Sequence, residues 1–165
     1  MSRRRSIHAG PALLLAIGAA PVLPAYAVAD VLATQRVDLV ETVTLGDGSS
    51  EVTYRPAETV TPGSELRYTV AYQNTSQDLV DDVQVVMLVP GPVVPIAGTA
   101  VPDGTALTYS VDGGASYGAL SELTLTEGAQ TRSAELSDVT HMRWTLPAPL
   151  QGDESGEVSY HAILR

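Results

Sequence analysis

Leu66, Tyr68, Val70 and Tyr72 alternate with Arg67, Thr69, Ala71 and Gln73. A strict period of two places the first set on one side of an extended chain and the second on the other. The same period returns in Met142, Trp144 and Leu146 against His141, Arg143 and Thr145, and in Val158, Tyr160, Ala162 and Leu164. No stretch beyond residue 30 carries an apolar helical period of useful length. A chain patterned in this way has one economical solution, in which antiparallel strands bury one face and wet the other.

Strands are expected at Val37–Leu45, Glu51–Arg55, Glu65–Asn74 and Val83–Val89. Further strands are expected at Leu107–Val111, Leu123–Thr126, Thr140–Leu146 and Val158–Leu164. Val86 and Leu88 are apolar as well as Val85 and Met87, so the Val83–Val89 strand is expected to be buried on both faces for part of its length. Pro90 to Pro95 holds three prolines, which cannot donate to a central ladder, so this stretch is a loop or an edge. Asp112-Gly113-Gly114 is expected to be a tight turn with positive φ at one glycine or both, with Tyr117 beginning the return strand. Residues 118–138 are otherwise weakly patterned. About seven to nine short strands spaced by turns describe an immunoglobulin-like antiparallel β-sandwich. Trp144, the single Trp, is its expected core anchor, and Tyr68, Tyr72 and Tyr160 face inward with it.

The first 27 residues read differently. Arg3, Arg4 and Arg5 precede an apolar run from Pro11 to Val22, and Ala25-Tyr26-Ala27 follows as a small-x-small site. That order describes a signal peptide helix of the Sec type, cleaved after Ala27 or after Ala29. The apolar run is about a dozen residues, too short for a permanent span. The expected organisation is a signal peptide over 1–27, a short linker over 28–36 and one sandwich domain over 37–165. The localisation that follows is secreted or periplasmic.

Charge and residue usage narrow the function. The chain has no Lys and no Cys. Without the three leader arginines it keeps six Arg against nineteen acids, a formal charge of −13. Such acidity disfavours nucleic acid and anionic membranes as partners. The absence of Cys removes thiol catalysis and Cys-zinc sites. His141 and His161 are the two histidines outside the leader, both on the wet faces of their strands. Pairing of those strands would bring them together, yet a zinc site needs three or four ligands. No Gly-x-Ser-x-Gly sequence is present, and Asp81-Asp82 and Asp153-Glu154 are loop acids. Asn74-Thr75-Ser76 is read as a turn. No catalytic, cofactor-binding or metal-binding residue is assigned, and no cofactor is expected.

Val60-Thr61-Pro62-Gly63-Ser64-Glu65-Leu66-Arg67-Tyr68-Thr69-Val70, closed by Asn74, is a "Pro-Gly, then strand" opening. Val89-Pro90, Gly98-Thr99-Ala100 and Ser110-Val111-Asp112-Gly113-Gly114 follow in order, then Thr140-His141-Met142-Arg143-Trp144 and Gly156-Glu157-Val158-Ser159-Tyr160. In this order and spacing the chain resembles the bacterial conserved-repeat domain family known as domain of unknown function eleven. It departs from that pattern at Val86 and Met87, where members carry an Asp. The resemblance implies an immunoglobulin-type sandwich in exported and surface proteins, and no general activity. The expected function is thus an exported, non-catalytic structural or interaction module, partnered by an envelope or extracellular protein. The alternative is a sandwich that binds calcium or carbohydrate through loops, with Asp78, Asp81, Asp82, Asp103 and Asp112 as the available acids.

Overall fold

The computed structural model describes residues 31–102 and 105–165. The expected signal peptide and Asp103 lie outside the described residues. Ten strands form in chain order: β1 (Val31–Thr44), β2 (Ser50–Pro56), β3 (Glu65–Asn74), β4 (Gln84–Leu88), β5 (Val93–Pro95), β6 (Ala106–Ser110), β7 (Thr124–Glu127), β8 (Gln130–Ser133), β9 (His141–Thr145) and β10 (Ser155–Leu164). A five-stranded sheet runs β2-β1-β3-β10-β5, a three-stranded sheet runs β4-β9-β6, and β7 and β8 make a separate ribbon. Every named pairing is antiparallel. The two larger sheets pack face to face, so the protein is an all-β sandwich.

The alternation in β3 accounts for the core of the larger sheet. Leu66, Tyr68, Val70 and Tyr72 are all buried, together with Val158, Tyr160 and Ala162 from its neighbour β10. Tyr160 lies opposite Tyr68 in the register, and their rings stack with centroids 5.1 Å apart. Trp144 of β9 reaches across from the three-stranded sheet, its ring 6.2 Å from that of Tyr160. These three rings tie the sheets together, adding about 0.5–1.5 kcal/mol per pair beyond the area they bury. Val85 and Met87 of β4 complete the floor under Trp144, and Val86 is buried on the opposite face, as its apolar neighbours led one to expect.

Gly156 sits in β10 opposite Tyr72. A Cβ at 156 would stand 2.5 Å from the Tyr72 hydroxyl. The tyrosine ring therefore occupies the space a side chain would need, and the strand accepts a glycine there because an aromatic covers it.

Three stretches depart from the sequence expectation, and a fourth settles an alternative it left open. β1 begins at Val31, six residues before Val37, because Val31 and Ala33 are also core residues facing β3. Pro90–Pro95 resolves as the edge alternative: Val93–Pro95 pair with the end of β10. The expected return strand at Tyr117 is only a bridge, in which Tyr109 and Gly118 exchange both backbone bonds. Residues 124–133 form the β7–β8 hairpin where a single strand was expected, turning at Gly128 with φ 65°. Its residues are mostly exposed and polar, so no buried face imposes an alternation on the sequence. The ribbon is held instead by Arg132, which donates to both carboxylate oxygens of Asp138 at 2.7 and 2.8 Å and to Glu127.

Candidate functional site

Two side-chain clusters stand out on the solvent faces of the sheets. The first lies on the outer face of the five-stranded sheet. The register places Asp38, Arg67 and His161 in one row across β1, β3 and β10, with Arg36, Thr69 and Ser159 in the next. Arg67 donates from Nε to Ser159 Oγ at 3.2 Å and from its terminal nitrogen to Glu157 at 3.1 Å. Arg36 bridges Asp38 and Glu157 at 3.1 and 3.4 Å. Tyr54 of β2 lies beneath the Arg67 guanidinium, 5.0 Å from its ring centroid, and meets the His161 ring edge-on. His161 Nδ1 is 2.6 Å from Glu65 Oε1.

This network closes over Thr69 and Ser159, which are fully buried although they point away from the core. Individual pairs at half-exposed positions contribute about 0–1 kcal/mol each. The cation–π contact and the shared Glu157 make them a coupled group rather than independent pairs. The His161–Glu65 pair has the form of a base with its orienting carboxylate. Ser159, the hydroxyl two residues away on the same strand, accepts from Arg67 instead, so no serine is assembled on that histidine.

The second cluster is the turn after β6. The Asp112 carboxylate accepts from Ser110 Oγ at 2.7 Å, Ser116 Oγ at 2.6 Å and the backbone N–H groups of Ala115 and Ser116 at 3.0 Å. The Ser116 and Ser110 hydroxyls, with those N–H groups, hold its carboxyl well below the usual range. Ser110 Oγ in turn accepts from the Gly114 N–H. Gly113 and Gly114 adopt φ of 77° and 88°, so both glycines carry the left-handed backbone expected of at least one. Valine at either position is expected to lower stability by about 1–3 kcal/mol, read by urea titration, because a β-branched residue resists positive φ. Gly114→Val should cost more, since its Cβ would also lie 3.1 Å from the Tyr117 hydroxyl, whereas Gly113 faces open space. Two variants as stable as the parent would refute this account of the turn.

The structure corrects the reading of the histidines. His141 is on β9 and His161 on β10, strands of different sheets, so they are not brought together. His141 is also buried, at 8% exposure, not wet. The 112–117 turn folds back over the outer face of β9, with Gly114 against the His141 ring and Tyr117 stacked under Arg143 at 4.2 Å. His141 Nδ1 lies 3.2 Å from Thr140 Oγ1. Burial pulls its pKa below the ordinary value, against the smaller opposing pull of Asp112.

A depressed histidine pKa means that the folded state favours the neutral ring. The resulting stability is fully present above about pH 6.5 and is lost as pH falls through the folded pKa. The melting temperature should therefore drop as the pH is lowered from about 7.5 to about 5.5, and His141→Gln should flatten that drop. A variant with the parent's slope would assign it to another group.

The loop acids separate. Asp112 is committed to its own turn, and the Asp78 carbonyl accepts from Asn74 at 2.7 Å. Among the described residues no group of three or more His, Asp or Glu side chains is gathered closely enough to hold a metal ion. None of the described helices is long and apolar enough to cross a membrane.

Asn74 is the residue whose role the sequence understated. It is fully buried. Its amide nitrogen donates to the carbonyls of Asp78, Leu150 and Gln151 at 2.7, 3.2 and 3.0 Å. Its oxygen accepts from the Ser76 N–H and hydroxyl. One side chain thus joins the two loops at this end of the sandwich. The sequence signal was there in the Asn-Thr-Ser turn, but the partners 76 and 77 residues away were not.

Exposed large apolar side chains are concentrated in one hairpin, on both of its faces. Val43, Leu45, Val52 and Tyr54 all belong to the β1–β2 hairpin, exposed by 42 to 50%. Beyond Leu39, β1 has left β3 and pairs with β2 alone. Comparison with protein-family models, curated proteins and solved structures returns no match.

Proposed function

We propose that this chain is an exported, non-catalytic interaction module of the bacterial envelope or extracellular space, on an immunoglobulin-like frame. The observation that carries this reading is the β1–β2 hairpin. It carries Val52 and Tyr54 on one face, Val43 on the other and Leu45 at its turn, on a two-stranded arm whose outer edge is open among the described residues. An arm with exposed apolar side chains on both faces and an unpaired edge offers a contact surface. The titratable clusters, by contrast, are engaged with one another as structure: Glu65 with His161, Glu157 with two arginines, Asp112 with its turn. The charged, apolar and Ala-x-Ala order of residues 1–27 supports export.

Two measurements test this. The exported protein should begin at Val28 or Asp30 on N-terminal sequencing, and a product that retains Met1 overturns export. Val52→Ser with Val43→Ser should abolish cross-linking of the arm to its partner in intact cells while leaving the melting temperature within a few degrees. Cross-links that persist in the double variant would place the contact surface elsewhere.

A further inference from the structure

The open edge of β2 is self-complementary, and we propose that it pairs antiparallel with the β2 edge of a second copy, joining two five-stranded sheets across a two-fold axis at Thr53. This rests on the reading of the hairpin as a contact surface and names its partner.

The backbone fixes which groups are free. The Ala57 N–H donates to the Val37 carbonyl, and the Leu45 N–H to the Ser49 carbonyl. Both pairs fit the continuous register of β1 with β2. Odd-numbered residues of β2 therefore direct their N–H and C=O toward β1, and Ser50, Val52 and Tyr54 direct theirs to the open side. An antiparallel partner must place its own even-numbered residues opposite these.

A two-fold axis at Thr53 meets that condition. Val52 then faces Tyr54 of the second copy in a hydrogen-bonded pair, twice, which forms about four N–H···O bonds. Thr53 faces its own counterpart in a non-hydrogen-bonded pair. Glu51 faces Arg55 of the second copy, again twice. Within one chain Glu51 has no charged partner across the strand, lying opposite Val43, while Arg55 reaches back to Glu41 at 2.7 and 2.9 Å. Opposite charges and a β-branched residue across from an aromatic are the favourable cross-strand pairs. Centring the axis on Val52 or Tyr54 instead leaves Glu51 opposite Thr53 or Ala57, so charge complementarity selects one register.

The arrangement also closes. Using the β2 edge in an isologous pair consumes it, and the far edge of the sheet, β5, is blunted by Pro92 and Pro95. A dimer is expected, not a filament.

Sedimentation equilibrium should show a reversible monomer–dimer equilibrium without larger species. Val52→Pro removes a donor that no bond among the described residues uses, so it should weaken the dimer about tenfold or more while near-ultraviolet circular dichroism stays native. Glu51→Arg should weaken it independently, by facing Arg55 of the second copy. The chain has no Cys, so a single Thr53→Cys thiol reports the register: the non-hydrogen-bonded pair on the axis suits a disulfide. Thr53→Cys should form a disulfide-linked dimer on mild oxidation, and Ser50→Cys, about 20 Å from its counterpart, should not. A protein that stays monomeric with no disulfide at position 53 overturns self-pairing but leaves the arm open to a different protein. A dimer unaffected by both Val52→Pro and Glu51→Arg, or Ser50→Cys oxidising as readily as Thr53→Cys, overturns this interface.

Discussion

Trp144→Ala should remove about 3–5 kcal/mol of folding stability, read as a lowered urea midpoint at unchanged slope. The side chain is fully buried and is the one large ring that the three-stranded sheet sends against Tyr160. Truncating it opens a cavity between the sheets, where Tyr160 is held from one side only by its stack on Tyr68. That is a large share of the about 5–15 kcal/mol that holds a typical domain folded. Trp144→Phe is the informative companion. The indole N–H has no hydrogen-bond partner among the described residues, so phenylalanine keeps most of the packing and removes a buried donor. Its cost should be well under half that of alanine. A native emission spectrum that is red-shifted and open to aqueous quenchers would contradict the burial on which both expectations rest.

Asn74→Asp should be nearly as damaging, for an electrostatic reason. The native amide shares its two hydrogens among three carbonyls. A carboxylate in the same place presents only acceptors to those carbonyls and is cut off from water. A buried group left unsatisfied costs about 1–3 kcal/mol, and more when charged. The sign of the pH dependence follows. The introduced carboxyl would have a folded pKa raised above its unfolded value of about 3.9, so the variant loses stability as pH rises through that range. The gap between variant and parent should widen from about pH 4 to about pH 7. Asn74→Ala should show a comparable loss at about pH 4 without that widening. A gap that does not change with pH would mean that the introduced carboxylate escapes to solvent, and that the bridge between the two loops is not rigid.

These two residues show how unevenly the fold could be read. Trp144 was legible because burial is periodic along a strand: Met142 and Leu146 flank it at spacing two, and the alternation announces which face is inside. The same holds for β3 and β10, whose inward apolar side chains were named from pattern. Asn74 was visible only as a turn residue. Its weight comes from carbonyls at 150 and 151, contributed by a loop whose Pro-Ala-Pro sequence carries no sign of a partner. His141 was misplaced for a related reason. Its strand face is the outer one, as the alternation says, but the glycine-rich turn folds back and covers it.

The candidate surface follows the same division. Each of Arg36, Tyr54, Arg67, Glu157 and His161 is an ordinary wet-face residue in one dimension. They converge because β1, β2, β3 and β10 are neighbours in a single sheet, an order set by long-range pairing rather than by adjacency in sequence.

The sequence by itself determined the all-β class, the identity of the buried rings, the positive-φ turn at Gly113 and Gly114 and which side of β3, β9 and β10 faces away from the core. Those are local consequences of a two-residue period and of backbone sterics. Only the tertiary structure decided that β1 starts at Val31, that the two histidines belong to different sheets, that Asn74 bridges two loops, and that β2 is left as an open edge. Each of these depends on which distant strand lies alongside, and that choice is made by the packing of whole faces, which no short stretch of sequence contains.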